Sequence, residues 1–120
     1  DGWAKRVIRA YQTHKADIIV GEVNNGGDMV EHTLRTSAQA MGVQMPPYLA
    51  VHASRGKRAR AEPIAALYEQ GRVLHLGAYD DLEDQLCNWT PETPESPDRM
   101  DAMVWAFTKL MLESEARIYV

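Results

Sequence analysis

Three short apolar runs, separated by segments with helical spacing, restrict this chain more than any other feature of it. They are Ile18-Ile19-Val20, Tyr48-Leu49-Ala50-Val51 and Arg72-Val73-Leu74-His75-Leu76. Each is too short for a helix and is rich in residues that favour extended backbone, so each reads as a strand. The first is apolar without alternation, the pattern of a strand buried on both faces. Strands that alternate with helices favour an α/β sheet with a parallel portion.

The helical segments follow from the same spacing argument. Trp3, Val7, Ile8, Ala10 and Tyr11 fall on a helical face behind Asp1, a good N-cap. Asp28 opens a second helix with Met29, Val30, Leu34 and Ala38 on its apolar side, closed by Gly42 and Pro46-Pro47. Residues 54–61 read as a loop, because Pro63 suits only the first turn of the helix that carries Ile64, Leu67 and Tyr68. Gly71 stops that helix, and a further one runs from Asp80 to about Trp89 with Leu82 and Leu86 inward. Residues 90–96 hold two prolines and form a linker. The last helix starts at Ser96-Pro97-Asp98 and continues through Met103, Val104, Phe107, Leu110 and Met111.

At 120 residues the chain has room for one domain, and its 45% hydrophobic and 25% charged shares suit a globular protein. No apolar run approaches the roughly 18 residues needed to span a bilayer, and no secretory signal is present, which points to the cytosol. Cys87 stands alone, so an internal disulfide and a cysteine-rich zinc site are both excluded. The net charge of −4 excludes a uniformly basic coat but not a local one. Arg55, Lys57, Arg58 and Arg60 crowd one short stretch, whereas acid gathers at 80–84 and 92–101.

Three places could carry chemistry. Glu22 ends the first strand, where ligands bind in open α/β sheets, although a solvated loop acid would look the same. Asp98 and Asp101 lie three apart on the last helix, which puts both carboxylates on one face, and Trp105 continues that stripe. Asp98 also suits a helix start, where its charge complements the dipole; Asp101 suits that role less well. The basic stretch 54–60 is either a solvated charge run or a surface for phosphates. Gly26-Gly27 before a helix could cradle an anion, but no nucleotide-binding motif is present. His14, His32, His52 and His75 have no metal-ligand spacing and read as surface or satisfied histidines.

These same stretches resemble the C-terminal nuclease domain of phage terminase large subunits. The resemblance is carried by Gly21-Glu22-Val23-Asn24-Asn25-Gly26-Gly27-Asp28-Met29-Val30, by 54–63 (SRGKRARAEP), by 67–73 (LYEQGRV), by 82–86 (LEDQL) and by 96–106 (SPDRMDAMVWA). It implies a partial RNase H-like α/β fold, about three strands with flanking helices, and a metal-dependent endonuclease that cuts concatemeric phage or prophage DNA during packaging. It implies two Mg²⁺ or Mn²⁺ ions on carboxylates, since hard cations take oxygen ligands. Carried over by motif, Glu22 is the family's second acid, Asp98 the acid of the final helix and Asp101 an accessory ligand. Arg55, Lys57, Arg58 and Arg60 would contact DNA.

The implied partners are double-stranded DNA, the terminase ATPase domain, the small terminase subunit and the portal, in the cytoplasm of a bacterial host. The family's first catalytic aspartate, on the first strand of its domain, has no counterpart here. The first three strands and the ATPase domain would thus be absent and the fragment inactive alone, with the edge of strand 18–20 open to homodimer pairing. Two other readings stand beside the nuclease. One is a non-catalytic remnant or packaging-partner module. The other is a phosphate- or nucleotide-binding domain that uses Asn24–Asp28 as its anion loop.

Overall fold

The computed structural model describes residues 2–23, 28–52, 56–94 and 97–113. They form two compact units, residues 1–54 and 55–120. The first unit runs α1 (Gly2–Thr13), β1 (Ile19–Glu22), α2 (Asp28–Met41) and β2 (Tyr48–Val51). The second runs α3 (Lys57–Glu69), α4 (Asp80–Asn88) and α5 (Asp98–Phe107), which passes into a π-helical turn at Thr108–Glu113. No described helix is long and apolar enough to cross a membrane.

In the first unit β1 and β2 pair in parallel, Ile19 against Tyr48 through Glu22 against Val51, with α2 as the crossover helix that parallel pairing requires. Ladder bonds from Ile19 N to the Pro47 carbonyl and from Val23 N to the Val51 carbonyl, both 2.9 Å, bound the pair. Ala4 and Ile8 of α1 and Leu34 and Ala38 of α2 form the buried core. A small residue four positions from a large one on each helix lets the two backbones approach closely. Ile19 and Tyr48, opposite each other in the ladder, pack on that cluster. The strand is less buried than its composition suggests: Ile19, Val20 and Gly21 are half-buried and Glu22 is exposed. Met29, expected on the apolar side of α2, is 77% exposed, since the inward stripe is Val30, Leu34 and Ala38.

Three helices end the same way. After α2, Gly42 adopts φ +69°, its N–H bonds the Gln39 carbonyl, and Val43 N bonds the Ala38 carbonyl. After α3, Gly71 at φ +72° repeats the pattern with Tyr68 and Leu67 as acceptors. These are Schellman caps, which satisfy carbonyls the helix leaves open. After α1 the same bonds form around Lys15, a side-chain-bearing residue held at φ +52°.

The second unit buries Ile64 and Leu67 of α3 against Met100 and Val104 of α5, with Val73 from the connector. Two expectations change here. The helix starts at Lys57, so Lys57, Arg58 and Arg60 are helical and Pro63 lies inside the helix. Proline removes one bond to the carbonyl four residues back, and that residue, Ala59, is exposed and can turn its carbonyl to water. Residues 72–76, expected as a third strand, have no strand partner among the described residues, which leaves two strands in the α/β fold. The alternation itself holds: Val73 is buried and His75 half-buried, with Leu74 at 80% and Leu76 at 97% exposed. The inward pair packs on helices instead of a sheet.

Two stability measurements check this account. Lys15→Gly relieves a left-handed residue and is expected to raise stability by about 0.5–1 kcal/mol after the entropy of glycine is counted. Leu34→Ala should cost about 2–5 kcal/mol, and exposed Met29→Ala less than about 0.5 kcal/mol. Urea unfolding followed by circular dichroism reads all three, and a Lys15→Gly protein weaker than the parent would contradict the cap.

Candidate functional site

The first turn of α5 takes its shape from a neighbouring helix. Pro97 occupies the N-cap position and offers no side-chain cap; the Ser96 expected there lies outside the described residues. Gln85 of α4 supplies the cap instead. Its Oε1 accepts the Met100 N–H at 3.0 Å, and its Nε2 donates to Asp98 Oδ1 at 2.9 Å. The Arg99 N–H also donates to Asp98 Oδ1, at 2.9 Å. Donation from Gln85, then from the Arg99 backbone, holds the exposed Asp98 carboxyl below its ordinary value, so it is ionised at neutral pH.

Asp101 is placed differently. It is mostly shielded, and its Oδ2 lies 3.0 Å from Lys57 Nζ at the start of α3. Arg60, one turn along α3, stacks its guanidinium 5.3 Å from the Trp105 ring of α5. The α5 face that carries Asp101 and Trp105 and the basic stretch, read as separate features in the sequence, are therefore neighbours. Arg58 points away and pairs with Glu62 at 3.2 Å, both well exposed. Arg55 lies outside the described residues.

Glu22 closes β1 in the first unit, exposed, with Val51 as its ladder partner. The Asn24–Gly27 part of the anion-loop candidate lies outside the described residues. Within neither unit do three His, Cys, Asp or Glu side chains converge to hold a metal ion, among the described residues. The donors themselves fit a hard divalent cation in kind: an exposed, ionised carboxylate at Asp98, and at Asp101 one already facing a cation.

Sequence reasoning passed over two groups. Gln85 lies in the 82–86 stretch, but nothing there signals a capping role, because that role depends on where α4 meets α5. Of the two readings of His75, surface or satisfied, the structure shows the second: one ring nitrogen bonds the Tyr68 hydroxyl at 2.8 Å and the other Glu83 at 2.7 Å, partners that no sequence pattern signals. The His75 bond holds the Glu83 carboxyl below its usual range, whereas burial, then the Glu83 charge, raises the Tyr68 phenol. These three side chains border an apolar cavity of about 510 Å³, whose lining includes neither Asp98 nor Asp101.

Compared with known protein families, residues 1–110 match the sequence model described as the terminase RNaseH-like domain. Comparison with curated proteins and with solved structures gave no match.

The Gln85 contact makes a direct prediction. Gln85→Ala removes the first cause of the Asp98 shift, so Asp98 should titrate at higher pH, nearer its ordinary value, in a carboxyl-carbon NMR titration. A folded-state pKa below the unfolded one gives stability that is present above the unfolded value and lost as pH falls through the folded value. The acid limb of the unfolding curve should therefore flatten in Gln85→Ala. An unmoved Asp98 titration would show that the contact does not govern it.

Proposed function

The chain belongs to the terminase RNaseH-like domain family, and from that premise we propose that it is the nuclease portion of a phage DNA-packaging terminase, a metal-dependent endonuclease acting on concatemeric DNA. One observation carries the reading furthest: the Asp101 carboxylate of α5 stands 3.0 Å from Lys57 of α3, and Arg60 of α3 lies on Trp105 of α5. A phosphodiester nuclease needs that juxtaposition, with acids to hold divalent ions and bases to hold the phosphates on either side of the cut.

In this proposal Glu22 and Asp98 are metal ligands and Asp101 an accessory one, for Mg²⁺ or Mn²⁺. Two such ions would supply the charge that stabilises the attacking and leaving oxygens. Asp98 offers an exposed carboxylate whose Oδ1 is held by Gln85 and the Arg99 N–H. Lys57, Arg58 and Arg60, with Arg55, bind the DNA backbone without reading sequence. The partners are double-stranded DNA and, in the packaging assembly, the ATPase domain, small subunit and portal, within the host cytoplasm. With no three acids converging within either unit among the described residues, the isolated chain is expected to cut weakly.

Supercoiled plasmid cleavage in Mg²⁺ or Mn²⁺ tests this, using the chain beside a longer polypeptide that contains it. Glu22→Ala and Asp98→Ala should each lower cleavage by at least about 10²-fold, the scale of a lost metal contribution of several kcal/mol. Cleavage that survives both substitutions removes the assignment, and no cleavage in either polypeptide favours a non-catalytic packaging module. Separately, Arg58→Ala and Arg60→Ala should weaken DNA binding alike on unrelated sequences. Each should also flatten the log–log salt dependence by about 0.9. An unchanged slope would make the stretch a solvated charge run.

A further inference from the structure

Residues 2–16 carry Lys5, Arg6, Arg9 and Lys15 and not one Asp or Glu, in a chain whose net charge is −4. In the rest of the described chain Arg35 pairs with Glu31, Lys57 with Asp101, Arg58 with Glu62 and Arg99 with Asp81. Lys5, Arg6, Arg9 and Lys15 have no acidic partner among the described residues. Ala4 and Ile8 are fully buried with Leu34 and Ala38 of α2, which fixes the way α1 faces. On the helical period Lys5, Arg9 and Arg6 then fall about 100–200° around from Ala4, turned from the core. Arg6 and Arg9 are exposed and Lys5 is half-buried. We propose that this face of α1 is a DNA contact, in which Lys5, Arg6 and Arg9 take the phosphate backbone of a duplex. The identity of the polyanion rests on the nuclease reading above.

The placement breaks two local rules at once. The N-terminal end of a helix carries partial positive charge and favours acids, yet the first turn of α1 holds none and includes Lys5. Lys5 and Arg9 stand four apart and Arg6 and Arg9 three apart, spacings at which like charges repel. Repulsion that the fold leaves unrelieved is characteristic of functional surfaces, and a polyanion relieves it. Packing on α2 holds the three cations within about 6 Å of helix axis before any ligand arrives, against a duplex with one charge per about 1.7 Å. An anionic membrane fits less well. A helix that lies in a bilayer inserts its apolar face, and that of α1 is occupied by α2, leaving Trp3 at 42% exposed. Contacts of this kind position a duplex and carry no sequence information.

Fluorescence anisotropy of the full chain on unrelated duplexes, in a chelator and over a range of salt, tests this. Arg6→Gln with Arg9→Gln should weaken binding alike on each duplex and flatten the log–log salt slope by about 1.8, or about 0.9 for each lost phosphate contact. Arg6→Lys with Arg9→Lys keeps both charges and should keep the slope. Thr36→Glu with Gln39→Glu lowers the net charge by the same amount at exposed positions of α2 and should leave the slope at the parent value. The urea midpoint of the Gln variant should not fall, because the charges it loses repel each other in the folded helix. An unchanged slope in the Gln variant, an equal flattening in the Glu variant or a lowered midpoint overturns the contact. So does a parent chain that binds no duplex. Loss of binding to phosphatidylserine vesicles in the Gln variant, with its DNA slope intact, assigns the face to a membrane instead. Failure of the nuclease reading looks different: cleavage that survives Glu22→Ala and Asp98→Ala removes that assignment and leaves the slopes of the α1 variants as they are.

Discussion

Burial of Met100 and Val104 against Ile64 and Leu67 decides what the rest of the second unit can present. A helix turns about 100° per residue, so once Met100 and Val104 face inward, Asp101, Trp105 and Asp98 must lie about 80–140° around from them, on one flank. The acids need no separate instruction to share a face. On α3 the period acts more directly. Lys57, Arg60, Ile64 and Leu67 follow one another at spacings of three, four and three, which puts all four within about 80° of arc. The apolar half of that stripe is core, and its basic half runs on past the core to meet the flank of α5. Arg58 falls about 100° away from Lys57 and is left to solvent and to Glu62.

That geometry explains which parts of the site are legible in the sequence. The parallel pair β1 and β2 and the crossover α2 follow from short apolar runs around a helical pattern, and they are found where that pattern puts them. The acid pair is legible from its spacing alone. The link between acids and bases is not, because Pro63 signals a helix start and so cuts the 57-60-64-67 stripe in half. Packing overrides the local cost of proline here. The Lys57–Asp101 and Arg60–Trp105 contacts hold the turns before Pro63 onto α5, with the apolar pair behind them.

The unpaired segment 72–76 shows a different limit. Alternating residues signal extended backbone, not a neighbour to pair with. Val73 finds its place in the helical core and His75 in the Tyr68–Glu83 chain, so the inward positions are used as a strand would use them. What composition lacks is any statement of where the backbone groups go. Gln85 is invisible for a related reason. A side chain that caps another helix has a partner set by tertiary contact, so no spacing within α4 could reveal it.

In an acidic chain, neighbouring acids cancel the local charge of its cations. The described ion pairs do this unequally. Arg35 with Glu31 and Arg58 with Glu62 are exposed pairs one helical turn apart, and Arg99 lies within 4.0 Å of both Asp81 and Asp98. Such pairs contribute little in water and weaken with salt, so a phosphate backbone with one charge per about 1.7 Å of duplex can displace them. Arg60 on Trp105 is a different arrangement, in which the guanidinium is drawn to an aromatic face. The local field at the start of α3 therefore depends less on the net charge of −4 than on which acids its cations face. Asp101 is the most shielded of these acids, so its pairing with Lys57 has the largest effect on that field.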